Sequence, residues 1–283
     1  MKVLITGANG FLGKHIYKKF SEESIELFKT SRDGFNNSIE CDLMSKIAVE
    51  NLIKKIRPEL IIHCAAFVPK STKDYNDKKS LLINSTMLKN LLNSSDSRMI
   101  YISSMTVYEG LDKIIHHELD SLKPFSPYAK SKFEGEMLLK CDGRDSLIVR
   151  IPGLFGKNRK KDGLVSNVLK ALISQSDFNL PDKPTLWASM SVEDASTSIL
   201  KLFLNANFKG YTPINIGYED TYSVNGFIDI CEKIFRVSLK CDINHPKFKF
   251  DLRRLKKFKA LPKNDFKKAL IELKEFYEFE NFR

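Results

Sequence analysis

Cysteine is scarce in this 283-residue chain, and its five cysteines are far apart. They form no Cys-x-x-Cys pair and none of the spacings typical of metal ligands, so the sequence predicts neither a disulfide framework nor a metal site. Isolated cysteines of this kind are typical of small buried residues in a reducing compartment. We therefore expect a cytoplasmic protein. The cysteines are Cys41, Cys64, Cys141, Cys231 and Cys241.

Long apolar runs are also missing. No stretch approaches the roughly 20 apolar residues that cross a bilayer, and the mean hydropathy is -0.26. Because a strand pattern begins at the first residues, we expect no cleavable targeting segment. Hydrophobic residues still make up 42% of the chain, which is enough for a large core. The sequence thus predicts a soluble protein without a membrane partner.

Acidic residues are outnumbered by basic ones, and the net charge is +11. Residues 247–283 alone contain twelve Lys and Arg against six Asp and Glu. Such a surplus is compatible with nucleic-acid binding, with attraction of anionic cofactors or substrates, or with a solvated lysine-rich surface. Because no nucleic-acid motif accompanies the charge, we favour the solvated surface and expect no nucleic-acid partner.

Repeats and low-complexity linkers are absent, and the N-terminal half instead alternates short apolar runs with helical patterns. This alternation predicts right-handed βαβ units and an α/β fold with a doubly wound, Rossmann-type parallel sheet. The predicted strands are Val3–Ile5, Ile25–Phe28, Leu60–His63, Met99–Ser103 and Leu147–Ile151. The predicted helices cover residues 11–22, 45–56, 76–94 and 127–140.

Three glycines follow the first predicted strand with the spacing Gly-x-x-Gly-x-x-Gly, at Gly7, Gly10 and Gly13. A helical pattern begins at Phe11. Glycines let the backbone approach a pyrophosphate, and a helix N-terminus offers unpaired N–H groups and the positive end of its dipole. The motif alone is weak, but its place directly after a buried strand predicts a dinucleotide-binding turn.

A second stretch carries Tyr128 and Lys132 one helical turn apart, on one face. A free phenol titrates near pH ~10, too high for an efficient base at neutral pH. The lysine charge would favour the phenolate. A dinucleotide turn together with this tyrosine and lysine pair predicts hydride-transfer chemistry.

Together these motifs resemble the extended short-chain dehydrogenase/reductase family, in its sugar-nucleotide-modifying branch of epimerases, dehydratases and ketoreductases. The glycine spacing, the continuation Phe11-Leu12-Gly13 and the Ser104, Tyr128 and Lys132 triad carry the resemblance. It spans most of the chain and is strongest over residues 1–156. The resemblance implies a nicotinamide cofactor, a catalytic triad and a possible homodimer through a four-helix face. In that triad Ser104, 24 residues before Tyr128, would hydrogen-bond and polarise the substrate oxygen.

The resemblance also implies cofactor contacts. Asp42 would accept from the adenine amino group, although it could instead cap the following helix. Asn84 would support the site, although it could be an ordinary polar helix residue, and His63 is interpreted as a core histidine. The implied cofactor-binding residues are Gly7, Asn9, Gly10, Phe11, Leu12, Gly13, Ser31, Arg32, Asp42, Leu43, Cys64, Ala65, Ala66, Asn84, Tyr128, Lys132, Ile151 and Pro152.

The pattern changes after Gly156. We expect a dinucleotide-binding domain over 1–156, rejoined by 188–217, and a smaller, interleaved substrate-binding lobe from 157–187 and 218–283. The C-terminal half has a basic loop at 157–163, a predicted helix at 164–174, a proline-broken stretch at 179–186, a helix start capped by Ser191, a returning strand at 213–216 and helices at 223–236 and 263–280.

Two short segments of the sequence limit the reaction type and the cofactor. The dehydratases of the family carry acidic groups where this chain has Met105 and Thr106, so dehydration is not expected. Residues 29–32 end the second strand without a carboxylate at the aligned position, and Ser31 and Arg32 can bind a 2′-phosphate. We therefore expect NADP(H) in preference to NAD(H), which favours a reductase.

The substrate side departs from the family pattern. Trp187 stands where related enzymes carry an arginine that binds the substrate diphosphate, so Lys157, Arg159, Lys160, Lys161 or the C-terminal lysines would have to replace it. The leading hypothesis is an NADPH-dependent reductase of a nucleotide-linked keto-sugar, used in polysaccharide synthesis. The alternatives are a nucleotide-sugar epimerase with tightly bound NAD and a non-catalytic NADP(H)-sensing regulator.

Overall fold

A seven-stranded parallel sheet forms the centre of the protein in its computed structural model. The structure describes residues 1–68, 77–157, 159, 163–176, 187–220, 223–238 and 247–281. The strands of the main sheet are β1 (Lys2–Thr6), β2 (Glu26–Ser31), β3 (Ile39–Glu40), β4 (Leu60–His63), β5 (Arg98–Ser104), β7 (Ser146–Ile151) and β10 (Tyr211–Asn215).

The spatial order of the sheet is β10-β7-β5-β4-β1-β2-β3. The chain moves outward from β1 through β2 to β3, then returns to the other side of β1 at β4. Ligands of such sheets bind beyond the carboxyl ends of the strands, where the order reverses. Two short parallel pairs lie outside the main sheet. They are β6 (Ile115–His116) with β11 (Lys249–Phe250), and β8 (Gly153–Phe155) with β9 (Ser189–Ser191).

Nine α-helices lie within the described residues, and serine caps begin several of them. Ser45, Ser126 and Ser191 each accept a hydrogen bond from the backbone N–H three residues later, which satisfies an otherwise unpaired donor. The helices are α1 (Phe11–Phe20), α2 (Lys46–Ile56), α3 (Lys79–Ser94), α4 (Pro127–Asp142), α5 (Leu164–Ser174), α6 (Val192–Asn205), α7 (Val224–Phe235), α8 (Arg253–Lys257) and α9 (Phe266–Asn281).

Both faces of the sheet are buried, as the continuous apolar strands predict. Along β1, Val3 and Ile5 pack into one core cluster and Leu4 into the other. Every residue from β4 is buried as well. This arrangement confirms the predicted doubly wound parallel fold.

The predicted elements match the described ones except at the ends of elements, at short strands and at α8, which was not predicted. The strand expected at 213–216 is β10, which pairs with β7 at the sheet edge; an edge position tolerates Pro213 because the missing N–H is not needed for pairing there. The five strands of two or three residues are too short to show a period and were not predicted. The proline-broken stretch 179–186 lies outside the described residues.

A buried ion pair ties α4 to three strands. Arg150 of β7 and Glu136 of α4 are 1% and 0% exposed and pair through two bonds of 3.0 and 2.6 Å. Ser103 of β5 donates to the same carboxylate at 2.6 Å, and Tyr211 of β10 donates at 2.8 Å. Tyr108 accepts from the guanidinium at 2.8 Å. Burial would otherwise penalise both charges.

We expect Glu136→Gln to lower the free energy of unfolding by about 3 kcal/mol, because the change leaves a buried guanidinium without its counter-charge. Denaturant titration followed by circular dichroism measures this loss. The matched control is Glu134→Gln on the same helix, whose surface pair with Lys89 spans 3.3 Å and should contribute about 1 kcal/mol or less. Equal effects of the two variants would contradict the prediction.

Candidate active site

Most predicted site residues lie at the carboxyl edge of the main sheet. In register, Thr6 of β1 is opposite His63 of β4, and His63 is opposite Tyr101 of β5. Ser104 at the end of β5 is opposite Ile151 at the end of β7. The glycine turn, the segment after β4, Ser104 and the segment after β7 therefore open at one edge.

The glycine turn brings two backbones into contact. Gly7 has φ +66°, and a Cβ there would lie 2.7 Å from the backbone N and Cα of Ala65. A Cβ at Gly13 would lie 2.9 Å from Cα of Ala8, so α1 also packs closely on the turn. Within residues 1–68, α1 has neither a side-chain cap nor an acidic residue in its first turn. This cradle suits a pyrophosphate, since its helix N–H groups remain unpaired by side chains.

At the end of β2, the structure adds a residue that sequence reasoning missed. Ser31 Oγ donates to Asp33 Oδ1 at 2.8 Å and lies 2.5 Å from Ser38 Oγ. The bond from Ser31 is the main reason that the pKa of Asp33 is lowered. Arg32 between them is exposed. A carboxylate thus lies where a 2′-phosphate is expected. The Asp33-Gly34 pair after the strand is the sequence signal that could have indicated it.

A bond from the glycine turn fixes the loop after β2. Asn9 Nδ2 donates to Phe35 O at 3.0 Å and to Ser38 Oγ at 3.3 Å. Ser38 Oγ also donates to Phe35 O, at 2.6 Å. The predicted cofactor residue Asn9 therefore sets the position of the β2–β3 loop relative to the glycine cradle.

Asp42 is exposed, and its Oδ1 accepts from Met44 N at 3.0 Å. The cap of α2 is Ser45, which accepts from Ala48 N. Asp42 is therefore not the cap of that helix, which removes the alternative explanation for it. Leu43 beside it is buried.

Asn84 lies behind the site rather than at its surface. Its Oδ1 accepts from Phe67 N at 2.7 Å, and its Nδ2 donates to Phe67 O at 3.2 Å and to Ser131 Oγ at 2.9 Å. Ser131 in turn donates to the backbone O of Tyr128. Asn84 thus joins the segment after β4 to the first turn of α4.

Tyr128 and Lys132 lie in the first two turns of α4, and both are buried, at 7% and 4% exposed. Lys132 Nζ donates to Ile102 O of β5 at 2.8 Å. Burial lowers the pKa of Lys132 to about 8, and the Glu136 charge one turn later opposes that fall. The lysine is therefore charged at neutral pH in a largely dry position.

Ser104 is held by its neighbour Thr106. The Ser104 Oγ accepts from Thr106 N at 3.2 Å and from Thr106 Oγ1 at 3.0 Å. Because a hydroxyl has two acceptor sites and one donor, these bonds leave its proton available to a substrate oxygen. Met105 and Thr106 provide no carboxylate here, and Thr106 instead orients the serine. Sequence reasoning did not assign this role.

His63 and Cys64 do not supply acid–base groups at neutral pH. His63 is buried and its Nδ1 is bonded to Thr6 Oγ1 at 2.8 Å; burial, with the Lys132 charge, lowers its pKa to about 3. Burial raises the pKa of the Cys64 thiol to about 12. The histidine is a satisfied core residue, as expected.

A cleft with aromatic walls lies between Pro152, which follows β7, and residues of the C-terminal half. Trp187, which carries no charge, stacks on Phe227 with 5.4 Å between the ring centres. Lys249 reaches the cleft from β11, and Asp220 Oδ1 is buried there without a hydrogen-bond partner among the described residues. The lining residues are Pro152, Trp187, Ala188, Ser189, Gly217, Tyr218, Asp220, Phe248, Lys249, Phe250 and Phe266.

Two described cations that follow β8 are not part of the cleft wall. The Lys157 ammonium lies 5.0 Å from the ring centre of Phe276, and the Arg159 guanidinium 5.4 Å from that of Phe11, at the start of α1. Lys160 and Lys161 are outside the described residues. Of the candidate replacements for the missing arginine, the C-terminal Lys249 is the described cation that lines the cleft.

Within the described residues, no three His, Cys, Asp or Glu side chains are grouped to hold a metal ion. No helix there has the length and apolar character to cross a membrane. The cysteines described, Cys41, Cys64, Cys141 and Cys231, are free thiols.

Curated relatives are similar to parts of the chain. Methionine adenosyltransferase 2 subunit beta of Danio rerio is 31% identical over 175 residues, which cover 59% of this chain and 52% of that protein. The chain thus spans about half the length of this relative. The spore coat polysaccharide biosynthesis protein SpsK of Bacillus subtilis is 24% identical over 205 residues, 71% of this chain and 69% of that protein.

Solved structures share the whole fold at low identity. UDP-glucose 4-epimerase of Thermotoga maritima superposes with a TM-score of 0.85 at 19% identity, covering 100% of both chains. A dTDP-4-dehydrorhamnose reductase of Clostridium acetobutylicum superposes with a TM-score of 0.79 at 23% identity, covering 98% of this chain and 100% of that one. RMD of Pseudomonas aeruginosa, solved with NADPH, superposes with a TM-score of 0.80 at 21% identity, with the same coverage.

Family assignment follows from a match over well over half of the sequence. Residues 1–183 match the family described as RmlD substrate binding domain. This match contains the glycine turn, Ser104, Tyr128 and Lys132, and it confirms the resemblance that these motifs predict. The chain belongs to the RmlD substrate binding domain family, in the sugar-nucleotide branch of the extended short-chain dehydrogenases/reductases.

Proposed function

We propose that this protein is an NADPH-dependent reductase of a nucleotide-linked keto-sugar. One observation carries the proposal: the glycine cradle packs on the backbone of Cys64, and the charge of the buried Lys132 acts on the thiol of the same residue. A Cβ at Gly7 would lie 3.0 Å from Cys64 C. A dinucleotide on the cradle would therefore extend toward the Tyr128 and Lys132 pair. The names of SpsK and of the similar dehydrorhamnose reductase support the substrate class.

The chain's own residues divide the work. When bound, the reduced nicotinamide supplies a hydride to the substrate carbonyl carbon. Tyr128 gives its phenolic proton to the carbonyl oxygen, and Ser104 donates a hydrogen bond to that oxygen. Lys132 stabilises the resulting phenolate through its positive charge. Ile151 and Pro152, after β7, would bound the nicotinamide, and the cradle of Gly7, Gly10 and Gly13 would hold the pyrophosphate.

The cofactor preference rests on the end of β2. Arg32 is exposed beside Ser31 and can pair with a 2′-phosphate, which supports NADP(H). Asp33 acts in the opposite sense, because its carboxylate accepts from the Ser31 hydroxyl. Asp42 and Leu43 would contact the adenine. The preference for NADP(H) is therefore set by the cation Arg32 and reduced by the anion Asp33, the next residue in the sequence.

The substrate would occupy the aromatic cleft beside Pro152. The aromatic walls suit a nucleobase or a sugar ring. Lys249 would pair with a diphosphate, and Asp220 would accept a hydrogen bond from a sugar hydroxyl. We also propose that 157–187 and 218–283 form the substrate-binding lobe, that the protein is cytoplasmic, and that it has no nucleic-acid partner. A homodimer through a four-helix face remains part of this proposal.

A second candidate follows from the relatives named as a subunit of methionine adenosyltransferase. That likeness favours a non-catalytic, NADP(H)-binding partner subunit. The similar UDP-glucose 4-epimerase favours an epimerase, which would retain NAD through purification. Binding of NADPH without reduction of any nucleotide-linked keto-sugar would select the subunit, and copurified NAD would select the epimerase.

We expect Tyr128→Phe to lower kcat for NADPH oxidation by at least about a hundredfold, because the proton donor is lost. NADPH affinity should stay within about threefold, since the ring remains in place. The assay follows NADPH absorbance with dTDP-4-dehydrorhamnose and other nucleotide-linked 4-keto-sugars. Tyr17→Phe on α1 is the matched control. Unchanged turnover in Tyr128→Phe would refute the proposed mechanism.

We expect kcat to fall as pH rises through about 8, because Lys132 then loses the charge that stabilises the phenolate. Below that pH the ammonium is present and this contribution is complete. The fall should approach about tenfold per pH unit. A pH–rate profile from pH 6 to 10 measures it. A profile that stays level through pH 10 would show that this lysine charge is not needed.

The end of β2 should control the cofactor choice. We expect Arg32→Ala to weaken NADPH binding about tenfold and NADH binding little, because one phosphate ion pair is lost. Asp33→Asn should strengthen NADPH binding, since it removes a negative charge near that phosphate. Fluorescence titration with each reduced cofactor measures both. Arg57→Ala, an exposed cation at the end of α2, controls for overall charge. A constant NADPH-to-NADH affinity ratio would contradict the prediction.

A further inference from the structure

The buried lysine has a second neighbour that the triad does not include. Lys132 Nζ lies 5.1 Å from the ring centre of Tyr101, on β5. The next residue of the same strand, Ile102, accepts the hydrogen bond of that ammonium at 2.8 Å. One strand thus offers the lysine both a carbonyl oxygen and an aromatic face.

The ring of Tyr101 is fixed in this position. It is 2% exposed and stacks on His63 of β4 with 5.9 Å between ring centres. At the hydroxyl end of the ring, a Cβ at Gly135 of α4 would lie 2.6 Å from Cζ of Tyr101. The ring is therefore held between a strand and the helix that carries Lys132.

The contact with Tyr101 explains why position 135 is a glycine. Glycine weakens a helix interior relative to alanine, and Gly135 lies in the middle of α4 rather than at its end. Its φ is not in the left-handed region, so the backbone does not require glycine there. The missing side chain instead makes room for the Tyr101 ring, three residues beyond Lys132.

Titratable groups face Lys132 from three elements. Within α4, Glu136 is an anion, but it already forms two bonds with Arg150. This pairing reduces the field that the carboxylate exerts on the lysine. The groups are Glu136 on α4, His63 and Cys64 at the end of β4, and Tyr101 on β5.

The groups from β4 supply no counter-charge. The pKa of His63 is lowered to about 3 and that of Cys64 is raised to about 12, so both are neutral near pH 8. The carbonyl of Ile102 and the face of Tyr101 therefore complement the ammonium directly. An aromatic face attracts a cation, and more strongly in a dry site.

We propose that Tyr101 is a positioning residue for Lys132: its ring face holds the ammonium charged and in place, and Gly135 admits that ring. The consequence for catalysis rests on the proposed function, because a charged Lys132 is needed only if Tyr128 becomes a phenolate. The contact itself requires neither substrate nor cofactor. It adds Tyr101 and Gly135 to the residues on which the triad depends.

The test compares Tyr101→Leu with Tyr101→Phe. Protein labelled with ¹³Cε-lysine is titrated by NMR, and Lys132→Arg assigns the signal of Lys132. We expect Tyr101→Leu to lower the pKa of Lys132 by about one unit, and Tyr101→Phe, which keeps the ring face, to leave it nearly unchanged. Thermal unfolding of each variant shows whether the fold is retained.

Gly135→Ala provides a second route to the same contact. The added methyl group should displace the ring and lower the pKa of Lys132, whereas adding it to Tyr101→Leu should cause no further change. If Tyr101→Leu does not fold, a fluorinated phenylalanine at position 101 weakens the ring face at nearly constant size. It should then lower the lysine pKa relative to Tyr101→Phe.

Two results would overturn the proposal. One is a Lys132 pKa that does not respond to Tyr101→Leu or to ring fluorination. The other is an equal shift in Tyr101→Phe and Tyr101→Leu, which would assign the effect to the hydroxyl or to packing. Failure of the proposed reductase is seen separately, as absence of NADPH binding or turnover in the wild type, and leaves the NMR titration interpretable.

Discussion

The bidentate pair between Glu136 and Arg150 fixes the helix on which the candidate chemistry depends. Tyr128, Lys132 and Glu136 follow one another at intervals of one turn on α4, so anchoring the last of them orients the first two. The anchor is buried, and its partners come from β5, β7 and β10. The phenol and the ammonium are thus positioned by strands far apart in sequence.

A second constraint acts at the other half of the site, where backbone contact replaces side-chain contact. Gly7 lets the turn after β1 meet the segment after β4, and the charge of Lys132 acts on Cys64 in that segment. Asn9 extends the same rigid unit to the loop after β2. The glycine turn, the loop after β2 and Lys132 are therefore parts of one packed edge, which is the pre-organisation that the proposed hydride transfer requires.

The parts that sequence patterns could predict are those set by local periodicity and short spacing. Buried strands, the glycine turn and the Tyr128 and Lys132 pair depend on residues within one or two turns of each other. Asp33, Thr106 and Tyr101 were not predicted, because their roles come from hydrogen bonds or ring contacts made only after folding. Strands of two residues were missed for a related reason, since pairing rather than pattern creates them.

The predicted catalytic residues and the residues of the cleft differ in the same way. Residues 1–183 match the family and contain every predicted catalytic group, whereas most of the cleft wall lies beyond them. Trp187, Asp220 and Lys249 come from three separate segments, and no short motif links them. Under the proposed function these later segments would bind the substrate, and Trp187 would stand where the family resemblance implies a cation. The charge for a diphosphate would then come from Lys249 on β11, which lines the cleft.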